Sequence, residues 1–495
     1  MNSILKIAET NEWIVFAIFL SILFLLVGSA EVIRLKLKKS PEFSRKFVHI
    51  IVGLIISTTP YFFKSAIPVL VMATIFVLIN YLTTKLNLLK GMHGTERITY
   101  GTTYFPLAFF ILVFWLWDSD RFIISISMLV LALADAIAAI VGGRIKNPKY
   151  YSLTNDRKSV EGSLAMFIST AMIIYFGLKI WYPEMQALTY YFVSLIIFCS
   201  LFATSWEAIS SFGLDNLFIP LSVAWTIHNY IYGSANYFID ANLLGIIIGY
   251  FSFRLKFLNM SGAVAIYLLA TIIYTIGGWM WTLPIFSFFI LSSILSKIGK
   301  RQKLKLETIY EKSHKRDAIQ VLANGGVTGV IILLSYFTPS YLWYLLFLVS
   351  IAVVTADTWG TEIGGLSKKN PRMIFTFRKA ERGTSGAISI IGTIGGIIGA
   401  FTISIISKYF IDLNWEIIFI ITIFGAIGSL IDSAIGMTLQ AQYKCNLCGK
   451  STERKIHCDN KANKISGFNW INNDVVNLLS AIATVFLAFI FFTKF

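Results

Sequence analysis

The sequence predicts an all-α polytopic integral membrane protein with about 16 transmembrane helices in two homologous halves, both termini lying outside the cell. Three observations support this fold class. Of the 495 residues, 56% are hydrophobic and only 14% are charged, a composition far from that of soluble proteins. Apolar stretches long enough to cross about 30 Å of hydrocarbon follow one another along the whole chain. The gaps between them alternate between short, nearly neutral turns and longer segments rich in lysine and arginine.

The apolar stretches define the predicted helices in order. They span residues 14–33, 47–63, 66–84, 102–117, 122–143, 162–182, 189–206, 217–232, 242–258, 262–279, 281–297, 318–337, 341–358, 385–407, 415–437 and 473–493. Most of them are close to the roughly 20 residues that a helix needs to cross the hydrocarbon core.

Basic residues give the chain its predicted orientation. The chain carries 42 lysines and arginines against 26 acidic residues, a formal net charge of +16. Most of the basic residues fall in alternate gaps, namely 34–46, 85–101, 144–161, 254–256, 297–317, 359–384 and 438–472. Because short basic loops stay in the cytoplasm, these gaps are predicted to face the cytoplasm of a plasma or inner membrane. Topology therefore accounts for the charge, and no nucleic-acid partner is expected.

Four motifs occur twice in the same order, which predicts two homologous domains, 1–257 and 258–495. The clearest pair is ADAIAAIVGGRIKNP from Ala134 and ADTWGTEIGGLSKKNP from Ala356. The other pairs are RKFVHIIVGLI from Arg45 with RDAIQVLANGGV from Arg316, KSVEGSLA from Lys158 with ERGTSGAI from Glu381, and FGLDNLFIP from Phe212 with WINNDVVNLL from Trp470. The alternative explanation is chance similarity among apolar segments rich in isoleucine and lysine.

The first copy of these motifs carries residues suited to binding phosphate. Asp135, near a cytoplasmic helix end, is a natural Mg²⁺ ligand when phosphate oxygens complete the coordination. Lys158 places a positive charge at the start of the next helix, whose N-terminus favours anions. Small neighbours would let a phosphate approach the backbone: Gly142, Gly143, Ser159, Gly162 and Ser163. Packing glycines and an ordinary N-cap are the alternative interpretation. Glu161 could be the cap carboxylate, a second metal ligand or a base.

Further polar residues lie at predicted cytoplasmic helix ends of the first half. Arg45 and His49 are spaced so that they can share one helix face. Snorkelling also explains Arg45, whereas a histidine inside the membrane is harder to explain without a function. Asp215 and Asn216 place a carboxylate beside a carboxamide at a helix start. Such a pair suits either an N-cap or a metal and substrate site.

The second half offers a comparable set of candidates. Asp357 is matched with Asp135 and is predicted to hold Mg²⁺ or the nucleotide, the alternative being a structural pair with an arginine. Asp474, beside Asn473 at a helix start, is a further candidate catalytic carboxylate, the alternative being an N-cap. The candidate nucleotide contacts are Gly364, Arg382, Gly383, Thr384 and Ser385. The candidate substrate or phosphate contacts are Arg316, Asn324 and Asn473.

A cytoplasmic loop contains the run CNLCGKSTERKIHC, in which Cys445, Cys448, His457 and Cys458 could bind a structural Zn²⁺. The adjacent positions of His457 and Cys458 are awkward for joint ligation. A reduced loop without metal is the alternative.

Several of these runs carry a resemblance to known families. The first half, through RKFVHIIVGL, RITYGTTYFPLA from Arg97, LADAIAAIVGGRI, KSVEGSLAMF and EAISSFGLDNLFIPL, resembles the phytol kinase and dolichol kinase family of CTP-dependent lipid kinases over about residues 1–250. The second half, through KRDAIQVLANGG, ADTWGTEIG, GTSGAISIIGTIGGIIGA, DSAIGMTLQAQYKC and NNDVVNLL, resembles the phytyl-phosphate kinase family.

The resemblance implies two consecutive phosphorylations of an isoprenoid alcohol in the bilayer, first to the monophosphate with CTP and then to the diphosphate. It implies that the region of Lys158 to Ser163 holds the nucleotide phosphates near Asp135, with Mg²⁺ as the metal. The second half departs from the pattern because it has Glu381 to Gly386 where the first half has Lys158 to Ser163. Its phosphate contacts are therefore expected to differ.

Two other functions fit parts of the pattern. A membrane transporter would explain internal repeats and glycine-broken helices, but its polar residues would be expected near the membrane midplane. A CTP-dependent phosphatidate cytidylyltransferase, or another lipid kinase, would also combine a nucleotide with a lipid. The cytidylyltransferase would release pyrophosphate, whereas a kinase would release CDP.

Overall fold

The computed structural model describes residues 11–36, 38, 41–86, 88, 99–187, 189–298, 315–449 and 451–494. The predicted loops 34–46, 85–101 and 297–317, and Arg97 within the second of them, lie partly or wholly outside these residues. The chain forms two compact units, Met1–Ile239 and Asp240–Phe495. The prediction of two kinase-like domains meeting at residue 257 is not tested by this division.

Among its described residues, the first unit consists of helices and one short hairpin. Its helices are α1 Glu12–Lys36, α2 Pro41–Ser57, α3 Thr59–Phe62, α4 Ala66–Lys85, α5 Gly101–Leu129, α6 Asp135–Arg144, α7 Val160–Trp181, α8 Thr189–Ile209, α9 Asp215–Tyr232 and the beginning of α10 Ala235–Arg254. A π-helical turn, Val130–Ala134, joins α5 to α6, and a 3₁₀ turn, Pro183–Ala187, precedes α8. The antiparallel hairpin of β1 Tyr150–Tyr151 and β2 Lys158–Ser159 leads directly into α7.

The second unit contains the rest of α10, six further helices and seven short strands among the described residues. The helices are α11 Met260–Lys297, α12 Ala318–Phe337, α13 Tyr341–Gly364, α14 Ile390–Lys408, α15 Trp415–Thr438 and α16 Asn473–Lys494. The strands are β3 Arg372–Met373, β4 Ala387–Ile388, β5 Gln442–Lys444, β6 Ser451–Thr452, β7 Ile456–His457, β8 Asn460–Lys461 and β9 Asn463–Ser466. Its core packs around α13, where Tyr344 to Val354 are buried without interruption.

The chain reverses direction at Asp120, inside α5. Asp120 has a non-helical backbone (φ −156°, ψ 84°), and its Oδ2 accepts hydrogen bonds from Tyr182 Oη at 2.5 Å and Tyr232 Oη at 2.6 Å. Gly101 and Asp135 line one cavity. A straight helix would separate them by about 50 Å. The continuous helical segment therefore folds back on itself at Asp120.

A second break lies at Gly278 in α11, where φ is 57°. A positive φ is available to glycine without the steric cost that other residues incur. The predicted segments 262–279 and 281–297 therefore form one helical element with a kink, as 102–117 and 122–143 do around Asp120.

Eleven helices in the described residues are long and apolar enough to cross a membrane. The predicted count of about 16 is not confirmed. Two predicted pairs are each one continuous element, and α2, α9 and α10 do not meet the same test of length and hydropathy. The break at Asp120 falls in the gap between the predicted stretches 102–117 and 122–143, whereas the break at Gly278 lies near the end of the predicted stretch 262–279.

Candidate active site

A cavity of about 710 Å³ lies inside the first unit and joins two kinds of surface. Its polar lining includes Arg45, His49, Asp135, Gly142, Gly143, Lys158, Ser159, Gly162, Ser163, Glu207, Asp215 and Asn216. Its apolar lining includes Leu23, Val27, Val52, Ile56, Met72, Phe76, Phe105 and Phe109. All but one of the site residues predicted in the first half therefore line one cavity.

Lys158 is held at the polar end of this cavity by two carboxylates. Its Nζ lies 2.6 Å from Glu207 Oε1 and 3.4 Å from Asp215 Oδ2. The side chains of Lys158 and Glu207 are only 15% and 7% exposed. Burial opposes the charge on the amine, but the attraction of Asp215 and Glu207 outweighs it and raises the pKa of Lys158 above its usual value. The lysine therefore stays protonated at any physiological pH.

The β1–β2 hairpin explains how Lys158 reaches this position. Tyr151 pairs with Lys158 across the hairpin, and Tyr151 Oη lies 2.5 Å from Ser163 Oγ on the first turn of α7. Ser163 Oγ in turn donates to Glu207 Oε2 at 3.3 Å. The hairpin, the start of α7 and the end of α8 are thus joined by hydrogen bonds around one ammonium group.

Asp135 begins α6 directly after the π-helical turn, a type of irregularity that is frequent at functional sites. His49 Nε2 lies 3.1 Å from Leu131 O within this turn and 3.9 Å from Asp135 Oδ2. Because a carbonyl oxygen only accepts, the first contact requires the proton on Nε2. The ring is also packed edge-on against Phe105, with centroids 4.9 Å apart. His49 is therefore fixed in one orientation beside Asp135.

Asp215 is positioned by a tight turn before α9. Gly213 has φ +87°, and a Cβ atom there would lie 2.4 Å from Gly101 N. Asn216 Nδ2 donates to Gly213 O at 3.2 Å and to Asp215 Oδ1 at 3.0 Å. The turn therefore needs glycine, and it places Asp215 at the cavity while Asn216 orients its carboxylate.

Helices α6 and α7 approach closely through glycine. Ser159 is the N-cap of α7, and its Oγ accepts from Gly162 N at 3.1 Å. A Cβ atom on Gly142 would lie 2.6 Å from the same Oγ, whereas a Cβ on Gly143 would meet no atom within 4 Å. The packing therefore requires glycine at position 142, whereas position 143 has space for a larger side chain.

Replacing Gly142 with alanine is expected to destabilise the protein by about 1–3 kcal/mol, because the new methyl group would displace the capping hydroxyl or separate the helices. Gly143→Ala is the matched control, since it adds the same methyl group where there is space. Thermal unfolding of the two variants in detergent measures the difference. Equal unfolding midpoints would contradict the close packing around Ser159.

Glu161 is the predicted first-half residue that does not line the cavity. Its two carboxylate oxygens accept from Lys149 N at 3.1 and 3.0 Å. Among the three roles left open by the sequence, this geometry favours a carboxylate that fastens the hairpin at the start of α7.

Several lining residues were not among the predicted site residues. Glu207, Asp156, Arg157 and Tyr150 also line the cavity, and the Arg157 guanidinium stacks 3.6 Å from the centre of the Tyr150 ring. Glu207 was conspicuous in the sequence as a carboxylate at the end of an apolar run. The hairpin that carries the other three residues is too short to be recognised from its sequence pattern.

In the second unit, Asp357 on α13 belongs to a cluster of buried and half-buried polar groups. Asp357 and Asp432 are close enough to repel each other electrostatically, and Ser480 Oγ donates to Asp432 Oδ2 at 3.0 Å. The Asn477 amide lies 3.1 Å from that of Asn324. Asp474 is also buried, at the start of α16 beside Asn473. The structure thus gathers part of the predicted second set around helices α12, α13, α15 and α16.

The start of α14 repeats the geometry found at the start of α7. Ser389 is its N-cap and accepts from Gly392 N at 3.1 Å. A Cβ on Gly364 would lie 3.1 Å from Ser389 Oγ, as a Cβ on Gly142 would lie close to Ser159 Oγ. A Cβ on Gly392 would lie 2.7 Å from Gly360 O. By this geometry Ser389 corresponds to Ser159, so Ile388 occupies the place of Lys158.

This register differs from the predicted match of Glu381–Gly386 with Lys158–Ser163. Those residues instead form the turn between β3 and β4. Arg382 Nη2 donates to Lys368 O at 2.7 Å, and Gly383 has φ +83°. Thr384 N donates to Glu381 O at 3.2 Å, and Ser385 Oγ donates to Gln440 Oε1 at 2.7 Å.

Arg316 lies just before the start of α12. Its guanidinium is 5.8 Å from the centre of the Phe288 ring, and it lines a small, mainly apolar cavity of about 60 Å³ that also reaches Asn324. Burial lowers the pKa of Arg316, although Glu362 attracts its charge.

The cysteines and histidine of the 445–458 loop come together elsewhere in the second unit, with ligand atoms within 4.8 Å of one another.

Comparison with known proteins places the chain in a family. Residues 243–485 match the family model described as integral membrane protein DUF92. The chain is 34% identical over 180 residues to an uncharacterized membrane protein of Methanocaldococcus jannaschii, covering 36% of this chain and 73% of that protein. It is 29% identical over 275 residues to Protein PGR of Arabidopsis thaliana, covering 50% and 94%.

The chain is also similar to an enzyme. It is 28% identical over 225 residues to a phytol kinase of Synechocystis sp., covering 43% of this chain and 91% of that protein. No solved structure matches the chain. The similarity agrees with the predicted resemblance to phytol kinases. It does not extend to the prediction that two kinases are fused in one chain. The chain belongs to the DUF92 family of multi-pass integral membrane proteins.

Proposed function

We propose that the chain is an isoprenoid-alcohol salvage kinase in which the first unit phosphorylates a prenol with CTP and the second converts the monophosphate to the diphosphate. The observation that supports the first step is the mixed lining of the cavity, in which Lys158 lies among the carboxylates of Asp135, Glu207 and Asp215 and apolar side chains line much of the remainder. A long alcohol fits such a cavity with its hydroxyl at the polar end. Similarity to a phytol kinase supports the same substrate class.

Phosphoryl transfer depends mainly on positioning and on neutralising charge. In the proposed site Lys158 contacts a nucleotide phosphate, and the N-terminus of α7 at Ser159–Gly162 offers amide groups to another. The carboxylates of Asp135 and Asp215 are hard oxygen donors of the kind that Mg²⁺ prefers. Bound there, Mg²⁺ would neutralise the transferred phosphoryl group. His49 lies beside Asp135 at this end of the cavity.

The second step is proposed for the cluster around Asp357, Asp432 and Asp474. Its support is the recurrence, at Gly364, Ser389 and Gly392, of the packing that surrounds Ser159. Because Ile388 occupies the place of Lys158, phosphate contacts at this site must come from other groups, for which Arg382, Thr384 and Ser385 remain candidates. The same recurrence supports the proposal of two homologous halves.

The proposed function is tested with purified full-length protein in detergent, CTP and Mg²⁺. The acceptors are phytol, farnesol, geranylgeraniol, dolichol and diacylglycerol, and products are identified by mass. Prenyl phosphate together with CDP supports the kinase. Pyrophosphate with a cytidylylated lipid would replace it with a cytidylyltransferase. If no acceptor led to consumption of CTP and the protein took up solute in sealed vesicles, a transporter would be favoured.

We further propose that the basic loops, and with them both sites, face the cytoplasm, with 16 crossings and both termini outside. The support is the placement of the basic residues and the reversal of the chain at Asp120.

A cysteine introduced at Lys368, an exposed position in the loop 359–384, is expected to resist an impermeant maleimide in intact cells and to react after permeabilisation. The positive-inside rule places this loop in the cytoplasm. A cysteine at the exposed Tyr409, which follows α14 on the opposite side, is the matched control and should react in intact cells. Labelling at position 368 in intact cells would reverse the proposed orientation.

A further inference from the structure

The segment between α15 and α16 folds into five short strands that bring four metal-binding side chains together. Strands β5, β6 and β9 form one antiparallel sheet, and β7 and β8 form a separate hairpin. Cys445 and Cys448 follow β5, whereas His457 and Cys458 lie at the tip of the β7–β8 hairpin. One ligand atom from each residue lies within 4.8 Å of all the others.

Backbone turns create this convergence. Gly449 has φ +69°, and its N–H donates to Cys445 O at 3.0 Å, which closes the Cys–x–x–Cys turn. Adjacent residues of an extended strand point to opposite faces. Cys458 and Asp459, however, have φ values of +51° and +56°. This turn directs Cys458 to the same side as His457, which resolves the difficulty posed by their adjacency in the sequence.

The interatomic distances suit tetrahedral coordination. His457 Nδ1 lies 3.2 Å from Cys458 Sγ and 3.6 Å from Cys448 Sγ. With Zn–S and Zn–N bonds of about 2.3 and 2.0 Å, tetrahedral ligand atoms lie roughly 3.5–3.8 Å apart. All three cysteines are free thiols in the structure, so no disulfide competes for them.

We infer that Cys445, Cys448, His457 and Cys458 bind one structural Zn²⁺ ion. Three thiolates and one imidazole form a closed set of soft and borderline donors, which selects Zn²⁺ over the hard cation expected at the carboxylate sites. The ion would fasten the β7–β8 hairpin to the sheet. That sheet begins two residues after Gln440, the acceptor for Ser385. The zinc site is independent of the proposed kinase reaction.

The test is the metal content of the purified full-length protein, prepared anaerobically without a metal-affinity tag. About one zinc per chain is expected, with loss of nearly all of it in Cys448→Ser and in Cys458→Ser. Cys199→Ser is the matched control, because Cys199 is a buried thiol on α8 of the first unit and should leave the zinc content unchanged. Co²⁺ replacing the zinc should give the charge-transfer absorption of thiolate ligands.

Three results would overturn the inference. The first is wild-type protein that stays free of zinc after incubation with Zn²⁺ while its thiols react fully with an alkylating reagent. The second is zinc retained at full occupancy in the Cys448→Ser, Cys458→Ser double variant. The third is a disulfide among the three cysteines, detected by mass after alkylation with and without reductant.

Discussion

Replacing Lys158 with methionine is expected to reduce phosphorylation of the prenol by about 10²- to 10³-fold, the usual loss when one preorganised charge contact to a reacting group is removed. Methionine keeps most of the volume of the lysine stem but removes the ammonium group that lies between Glu207 and Asp215. The measurement is prenyl monophosphate formed from prenol and CTP by the purified variant. Phosphorylation of supplied monophosphate should be unchanged, because that step is assigned to the second unit.

Lys146→Met provides the matched control for this experiment. Lys146 is exposed in the segment between α6 and the hairpin, so its substitution removes the same charge from the same loop. It should leave both steps intact. Removing Lys158 also leaves two buried carboxylates without their cation, and thermal unfolding shows whether the fold survives. Equal loss of both steps in a well-folded Lys158→Met variant would contradict the two-site proposal.

Asp357→Asn is expected to make the protein accumulate prenyl monophosphate. The change keeps the size of the side chain but removes a charge proposed to hold Mg²⁺ or the nucleotide in the second unit. We expect diphosphate formation to fall by about 10²-fold or more, with the first step unaffected. The purified variant is incubated with prenol and CTP, and the ratio of monophosphate to diphosphate is read by mass spectrometry.

Asp412→Asn controls for the loss of a surface ion pair. Asp412 Oδ1 lies 3.6 Å from Lys408 Nζ and is fully exposed, and such pairs contribute little. Its product ratio should match that of the wild type. If Asp357→Asn also produced diphosphate at the normal ratio, Asp357 would be structural and the second site would lie elsewhere.

Most helix bounds could be predicted from the sequence because the thickness of the hydrocarbon core fixes the length of an apolar run. The predicted stretches 66–84, 162–182 and 473–493 correspond to Ala66–Lys85, Val160–Trp181 and Asn473–Lys494. Hydropathy does not report the continuity of a helix through a polar gap. The break at Asp120 depends on hydrogen bonds from Tyr182 and Tyr232, which lie 62 and 112 residues away in the sequence. A local hydropathy pattern cannot show such contacts.

Most of the lining of the first cavity could be predicted because the sequence places its polar residues at or near helix ends on one predicted side of the membrane. The role of Glu161 could not be predicted in this way, because its hydrogen-bond partner is the backbone of Lys149 in an irregular segment. The register of the second half does not follow from shared charge, which pairs Glu381–Gly386 with Lys158–Ser163. The Ser–x–x–Gly spacing of Ser159 and Gly162, repeated at Ser389 and Gly392, is the signal that would have found it.

The first cavity extends from Arg45 to Ile56, next to the end of α2, so it runs along most of the length of this helix. Under the proposed function, a prenol bound there would exchange with lipid tails and not with water, and little hydrophobic free energy would separate its free and bound tails. Tail length then contributes weakly to selection, and recognition falls to the hydroxyl end. Occupancy of the cavity would then depend on the ratio of alcohol to lipid molecules in the membrane. The volume of the surrounding solution does not alter this ratio.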